Sequence, residues 1–217
     1  MLEKIGSRFY EKLSCPNETF LEYIKKLKQE RRVITIAEIG VGIGTTVQNA
    51  IKQLDRQDRY FIFDYYDKVE ELCDELRLKY ADVPEILCYG NSRAIADNYV
   101  WSLYNLIEGQ NTGGAGIFDL VLLDGAHDFT IDLAACALLI NMIKVGGILI
   151  IDDVQLTVDT ILSHNPKKVH DYRKQYSHLQ TSALQMQMIC QGFLDLQPGL
   201  NRIWTDNASV AIFQKTG

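Results

Sequence analysis

Apolar residues along this chain come in two alternating rhythms. Short solid runs cover 33–37, 60–63, 86–89, 118–123 and 148–151. Between them lie longer stretches in which apolar residues return every three or four places, at 45–54, 68–80, 92–106 and 130–143. Runs that are apolar on both faces and separated by helix-length segments predict parallel strands covered by helices on each side. In the first of these helices Val47, Ala50, Ile51 and Leu54 fall at core spacing, Thr45 or Thr46 is placed to cap it, and Asp55-Arg56-Gln57-Asp58 ends it. In the segment 130–143, Leu133, Ala137 and Ile140 are expected to face inward. Residues 1–30 read as an amphipathic cover, with Phe20, Ile24 and Leu27 on one face and Lys25, Lys26 and Lys28 toward water. Residues 110–116 are expected to form a surface loop, and Val145-Gly146-Gly147 a turn.

Beyond residue 153 the rhythm changes. Residues 154–198 are mixed helical and irregular, and two short strands, 201–205 and 209–214, flank Asp206-Asn207-Ala208. Strands joined by so short a turn run antiparallel.

Composition narrows the picture. A chain of 217 residues with 47% hydrophobic content can bury one full core. A formal net charge of −6 disfavours a nucleic-acid partner. Cys15, Cys73, Cys88, Cys136 and Cys190 include no C-x-x-C pair and are expected to be free thiols filling apolar space in a reducing compartment. The sequence shows neither a secretory leader nor a run of roughly 20 apolar residues, so a cytoplasmic protein with no membrane partner is expected.

The chemistry begins at Glu38-Ile39-Gly40-Val41-Gly42-Ile43-Gly44, and the next apolar run ends on Asp64. Glycines let a backbone pass close under a ligand, and a distal carboxylate can accept both ribose hydroxyl protons. The dinucleotide fingerprint needs a glycine at position 45, where this chain has Thr, so a nicotinamide-dependent oxidoreductase is the weaker reading. The spacing present, E-x-G-x-G-x-G, resembles motif I of the class I S-adenosylmethionine (SAM) methyltransferases, and the antiparallel finish is similar to theirs. That resemblance implies a Rossmann-like α/β sandwich: a mostly parallel seven-stranded sheet with an antiparallel last strand and helices on both faces. It also implies that Glu38 holds the methionine amino group, Gly40 and Gly42 floor the site, and Thr46 meets the carboxylate. Asp64 would grip the ribose, with Asp67 as the alternative, and Asn91 and Ser92 would stand at the adenine.

A second constellation is Asp124-Gly125-Ala126-His127, followed by Asp152-Asp153. Successive strands thus deliver carboxylates at their C-terminal ends, the edge where ligands bind in open parallel sheets. Their mutual repulsion would be relieved by a hard divalent cation. D-G-x-H followed 28 residues on (152 − 124) by D-D resembles the metal-dependent O-methyltransferases, the group of catechol, caffeoyl-CoA and macrolide-sugar enzymes, over residues 30–155. The resemblance implies that Asp124, Asp152 and Asp153 hold Mg²⁺ or another divalent cation, with Asp124 also beside the cofactor. His127 would be the base that deprotonates a small-molecule hydroxyl on a sugar, catechol or other vicinal diol. A metal-independent methyltransferase and a non-catalytic SAM-binding protein are the alternatives.

On this reading residues 1–217 form one methyltransferase domain. Residues 1–30 cover it, 31–153 bind the cofactor, 154–198 insert on the acceptor side, and 199–217 form a terminal hairpin. Acceptor choice is expected to reside in 1–30 and 154–198, and the apolar N-terminal helix could serve a homodimer. Tyr172, Tyr176, Met186 and Met188 either line an acceptor pocket or pack, whereas His164, His170 and His178 are expected at the surface.

Overall fold

The computed structural model describes residues 15–30, 33–80, 84–92, 96–110, 115–164 and 174–217. Seven strands, β1 (Thr35–Ile39), β2 (Arg59–Tyr65), β3 (Glu85–Asn91), β4 (Phe118–Leu123), β5 (Ile143–Ile151), β6 (Leu200–Ile203) and β7 (Ala211–Lys215), form one sheet in the order β3-β2-β1-β4-β5-β7-β6. The first five run parallel, and β7 lies antiparallel between β5 and β6. Chain order reverses between β1 and β4, and this switch point opens a crevice at the C-terminal ends of the strands.

The helices are α1 (Glu18–Gln29), α2 (Thr45–Ala50, prolonged by a 3₁₀ turn, Ile51–Gln53), α3 (Tyr66–Lys79), α4 (Tyr99–Gln110), α5 (Phe129–Met142), α6 (Val158–His164), α7 (His178–Ser182) and α8 (Gln185–Gly192). Because strand side chains alternate, each strand supplies two cores. Ile36, Ile62, Leu122 and Ile150 meet Phe20 and Ile24 of α1, Val47 of α2 and Leu72 of α3. On the opposite face Ile39, Phe63, Leu123 and Ile151 meet Leu103 of α4, Leu139 of α5 and Ile189 of α8. The expected sandwich, with its reversed final strand, is the fold observed.

Several local expectations are corrected. The helix expected from residue 92 begins at Tyr99. Residues 145–147 do not turn but continue β5, with Gly146 at φ +82° and a register shift against β4 between Phe118 and Leu120. In α5 the inward face is Ala135, Cys136, Leu139 and Met142, while Ala137 is exposed. That helix is apolar almost all round, so spacing alone could not orient it. Gly44, at φ +80°, occupies the N-cap of α2, and Thr46 accepts instead from the Asn17 N–H at 3.0 Å.

Cys73 of α3 and Cys88 of β3 form a disulfide, which leaves Cys15, Cys136 and Cys190 as the free thiols. Packing of α3 against the edge strand brings the pair together, a tertiary contact that spacing does not announce, and thiol chemistry no longer supports the cytoplasmic expectation. No helix among the described residues is long and apolar enough to cross a membrane. The expectations placed on residues 1–14, His170 and Tyr172, and on the side chain of His164, lie outside the described residues.

Candidate active site

At the switch point a cavity of about 340 Å³ opens over the ends of β1, β2 and β4. The glycine turn forms one wall. Gly40 has φ +85°, and a Cβ there would lie 1.8 Å from the Asp124 carbonyl oxygen. Only glycine therefore lets the exit of β1 lie against the exit of β4, and through this contact the turn and the first acid share one wall. Asp64 closes the turn from the next strand, accepting from the N–H groups of Val41 (3.0 Å), Gly42 (2.9 Å) and Tyr65 (2.6 Å), with the Lys68 ammonium 3.9 Å away. Burial raises the Asp64 carboxyl above its ordinary value against the pull of Lys68 and these N–H groups. Asp64 lines the cavity; Asp67 is exposed and does not.

Glu38 lies buried at the base of the cavity and accepts from the Tyr60 hydroxyl. Burial, joined by the charges of Asp124, Asp64 and Asp152, pushes its carboxyl up to about 8 although the Tyr60 bond favours ionisation. Gly40, Gly42, Thr46 and Asn91 line the same cavity, whereas Ser92 does not and donates its N–H to Asp97 at 2.9 Å. The Asn91 amide donates to the carbonyls of Ser92 (2.9 Å) and Asp97 (3.3 Å), and its buried Oδ1 has no partner among the described residues.

Beside this cavity, between the ends of β4 and β5, three side chains converge. His127 Nε2 lies 3.3 Å from Asp124 Oδ1 and 3.3 Å from Asp153 Oδ2. The nitrogen is shielded from solvent, yet it makes no aligned hydrogen bond to either oxygen. Ligand atoms of the three residues all lie within 4.8 Å of one another. Burial pushes the His127 imidazole down, but the two carboxylates outweigh it and hold the ring well above its ordinary value. Both His127 (φ +55°) and Asp153 (φ +53°) are left-handed, a conformation uncommon for residues with side chains and concentrated at functional sites.

Asp152 stands apart from that trio. Its Oδ2 accepts from the Asn17 amide at 2.6 Å and its Oδ1 from the Asp153 N–H at 2.9 Å. Burial together with Asp124 and Asp153 raises its carboxyl to about 6. Of the three acids expected to hold a cation, the structure thus brings Asp124 and Asp153 together with His127, the residue expected as base, and holds Asp152 against the start of α1.

Two supports escaped the sequence reading. Asn17 caps α1 through its Oδ1, which accepts from the Phe20 N–H at 2.8 Å, while its N–H reaches Thr46 and its amide reaches Asp152. An Asn before an amphipathic stretch signals a cap, but its two distant partners leave no trace in the sequence. Under the His127 loop, the Tyr99 hydroxyl donates to Asp132 and accepts from the Ala126 N–H at 3.1 Å, and Asp132 also accepts from the Asp128 N–H at 2.9 Å. Asp128 in turn caps α5. This buried pair pins both ends of the turn that carries His127.

The chain matches a family profile described as "Methyltransferase domain" over residues 37–154. It is similar in structure to the O-methyltransferase TomG from Streptomyces achromogenes, involved in tomaymycin synthesis and solved with SAM. Identity is 16% and the TM-score 0.58, with 94% of this chain and 82% of that one covered. Cofactor-bound Rv0187 from MTB is 18% identical, with TM-score 0.60 over 93% of this chain and 81% of that one. An O-methyltransferase from Bacillus cereus, solved with S-adenosylhomocysteine (SAH), is 15% identical, with TM-score 0.57 over 93% and 83%. No curated protein sequence matches the chain. Identities this low establish a shared fold.

Proposed function

Because the chain belongs to the methyltransferase-domain family and is a class I SAM-dependent enzyme, we propose that it methylates a hydroxyl of a small vicinal diol with a divalent cation held by Asp124, His127 and Asp153. The observation that carries this reading is the His127 Nε2, shielded, unaligned with any acceptor and equidistant at 3.3 Å from two carboxylates. One nitrogen and two anionic oxygens on a common centre are a donor set for a cation, and imidazole among them suits manganese, iron or zinc better than magnesium. The O-methyltransferase neighbours support oxygen as the accepting atom.

On the donor side, the unpartnered Asn91 Oδ1 offers an acceptor to the exocyclic amine of adenine. Asp64 offers carboxylate oxygen to a ribose, and Glu38 lies where an ammonium would restore its charge. Transfer breaks the methyl carbon–sulfur bond, leaving its electron pair on sulfur, and forms a carbon–oxygen bond as the acceptor proton departs. A bound divalent cation would supply Lewis acidity that makes the hydroxyl easier to ionise. His127 acts here as a ligand rather than as the base expected from the sequence, and a bound cation would take the place of the proton that the two carboxylates favour on the free imidazole. Asp152, tied to Asn17, braces the cluster from outside.

Calorimetry tests this directly. SAH should bind the wild type, and Mn²⁺ should bind wild type and Asp152→Ala but neither Asp124→Ala nor Asp153→Ala. Wild-type Mn²⁺ affinity in Asp153→Ala would remove the cation site from the proposal.

A further inference from the structure

A second cavity, of about 370 Å³, lies beyond the C-terminal end of β5 and shares no lining residue with the first. Topology explains its place. Because β7 runs against β5, the hairpin joining β6 to β7 emerges at the same edge as the C-terminal ends of the parallel strands. The Val154 N–H donates to the Ser209 carbonyl at 2.9 Å, which stitches the hairpin to the segment leaving Asp153. Along the ligand edge the order is therefore donor cavity over β1, β2 and β4, acidic trio between β4 and β5, and second cavity over β5 and β7.

We infer that this second cavity seats the acceptor ring, with Trp204 as its stacking face; the inference rests on the methyltransferase reading above and names where its substrate lies. Displacement at a sulfonium requires the nucleophile to approach opposite the sulfur, so the acceptor must enter from the side of the trio away from the donor. Adjacent strands are about 4.8 Å apart, so β4 and β7 ends are separated by about 10 Å, the reach of one six-membered ring with hydroxyls at its leading edge. The cavity size suits a small ligand.

Its lining selects the ligand's chemistry. Trp204 is 81% exposed, an unusual cost for an indole unless a ligand covers it. The neighbouring amides of Gln155 and Gln187 make no hydrogen bond among the described residues. Arg202, the one charged lining residue among those described, is paired with Asp195 at 2.8 Å. An indole face, amides and a neutralised guanidinium suit an uncharged ring bearing hydroxyls, whether aromatic or sugar.

The two tryptophans of the chain make the test specific. In Trp101→Phe protein the indole fluorescence reports Trp204 alone. With SAH and Mn²⁺ bound, catechol and methyl α-mannoside serve as the aromatic and sugar probes. Saturable quenching by one of them is expected, and the probe that quenches identifies the class. By calorimetry, Trp204→Ala should weaken that probe at least tenfold and Trp204→Phe by less than threefold, with SAH affinity unchanged in both. If SAH and Mn²⁺ bind but neither probe quenches, or if Trp204→Ala binds the probe as wild type does, the second cavity is not the acceptor seat and the cation reading still stands. Failure of SAH itself to bind would instead overturn the methyltransferase reading, and the acceptor seat with it.

Discussion

The proposed donor half and the proposed acceptor half of the ligand edge are built in opposite ways. Over β1, β2 and β4 the site is made largely of backbone: left-handed glycines, carbonyls in close approach, and N–H groups gathered by Asp64. Over β5 and β7 it is made of exposed side chains on a hairpin and a helix, with Trp204 standing out into solvent. A backbone-made site suits a ligand that never changes, because few substitutions keep its shape. A side-chain site on a hairpin can be rewritten without disturbing the sheet beneath it.

The contrast predicts that the donor half breaks hardest. Gly40→Ala forces a Cβ against the Asp124 carbonyl at 1.8 Å. The expected cost is about 3 kcal/mol or more of stability by denaturant titration, with SAH binding lost by calorimetry. Donor binding that survived unchanged would show the turn to be far more pliant than its geometry allows.

The junction between the halves comes next. Mn²⁺ should bind at least about tenfold more tightly than Mg²⁺, and His127→Ala should abolish that preference, because it leaves only oxygen ligands. Equal preference in the variant would return His127 to the role of base.

Glu38 offers a pH test of the donor half. A carboxyl raised from 4.5 to about 8 on folding favours its protonated form. The stability it lends is whole below about pH 4.5 and drains away as pH rises through about 8. Glu38→Gln should flatten that decline in thermal unfolding. Binding a cationic donor near pH 7 should also expel a proton, seen as a calorimetric enthalpy that varies with the buffer's own heat of ionisation.

Smaller effects should come from the support under the His127 loop and from the acceptor half. Tyr99→Phe strands the buried Asp132 carboxylate and the Ala126 N–H, which should cost about 1–3 kcal/mol. Trp204→Ala should change stability by less than about 0.5 kcal/mol, since its side chain buries little.

The same contrast explains how much could be read in advance. Strand positions, the parallel sheet and its reversed last strand were legible because solid apolar runs and a short hairpin leave no other economical arrangement. That Glu38, Gly40, Gly42 and Asp64 would gather around one cavity was legible, since backbone demands show directly as residue type. The cluster beside the cavity was only half legible: Asp124, His127 and Asp153 were singled out by their spacing, but that Asp152 turns away from them was not. Which of two neighbouring carboxylates turns inward depends on Asn17, 135 residues away. The Tyr99–Asp132 pair, Trp204 and the Cys73–Cys88 bond are likewise products of packing between distant segments, and local pattern carries no sign of them.

Asn17 ties the entry of α1 to both Thr46 and Asp152, so the segment just before it passes over the donor cavity, whose wall includes Cys15. Cys15 is the exposed member of the three free thiols, the other two being buried. A maleimide dye should therefore label this one position selectively, and the rate at which it does so becomes a built-in gauge of how often the cofactor's seat is filled.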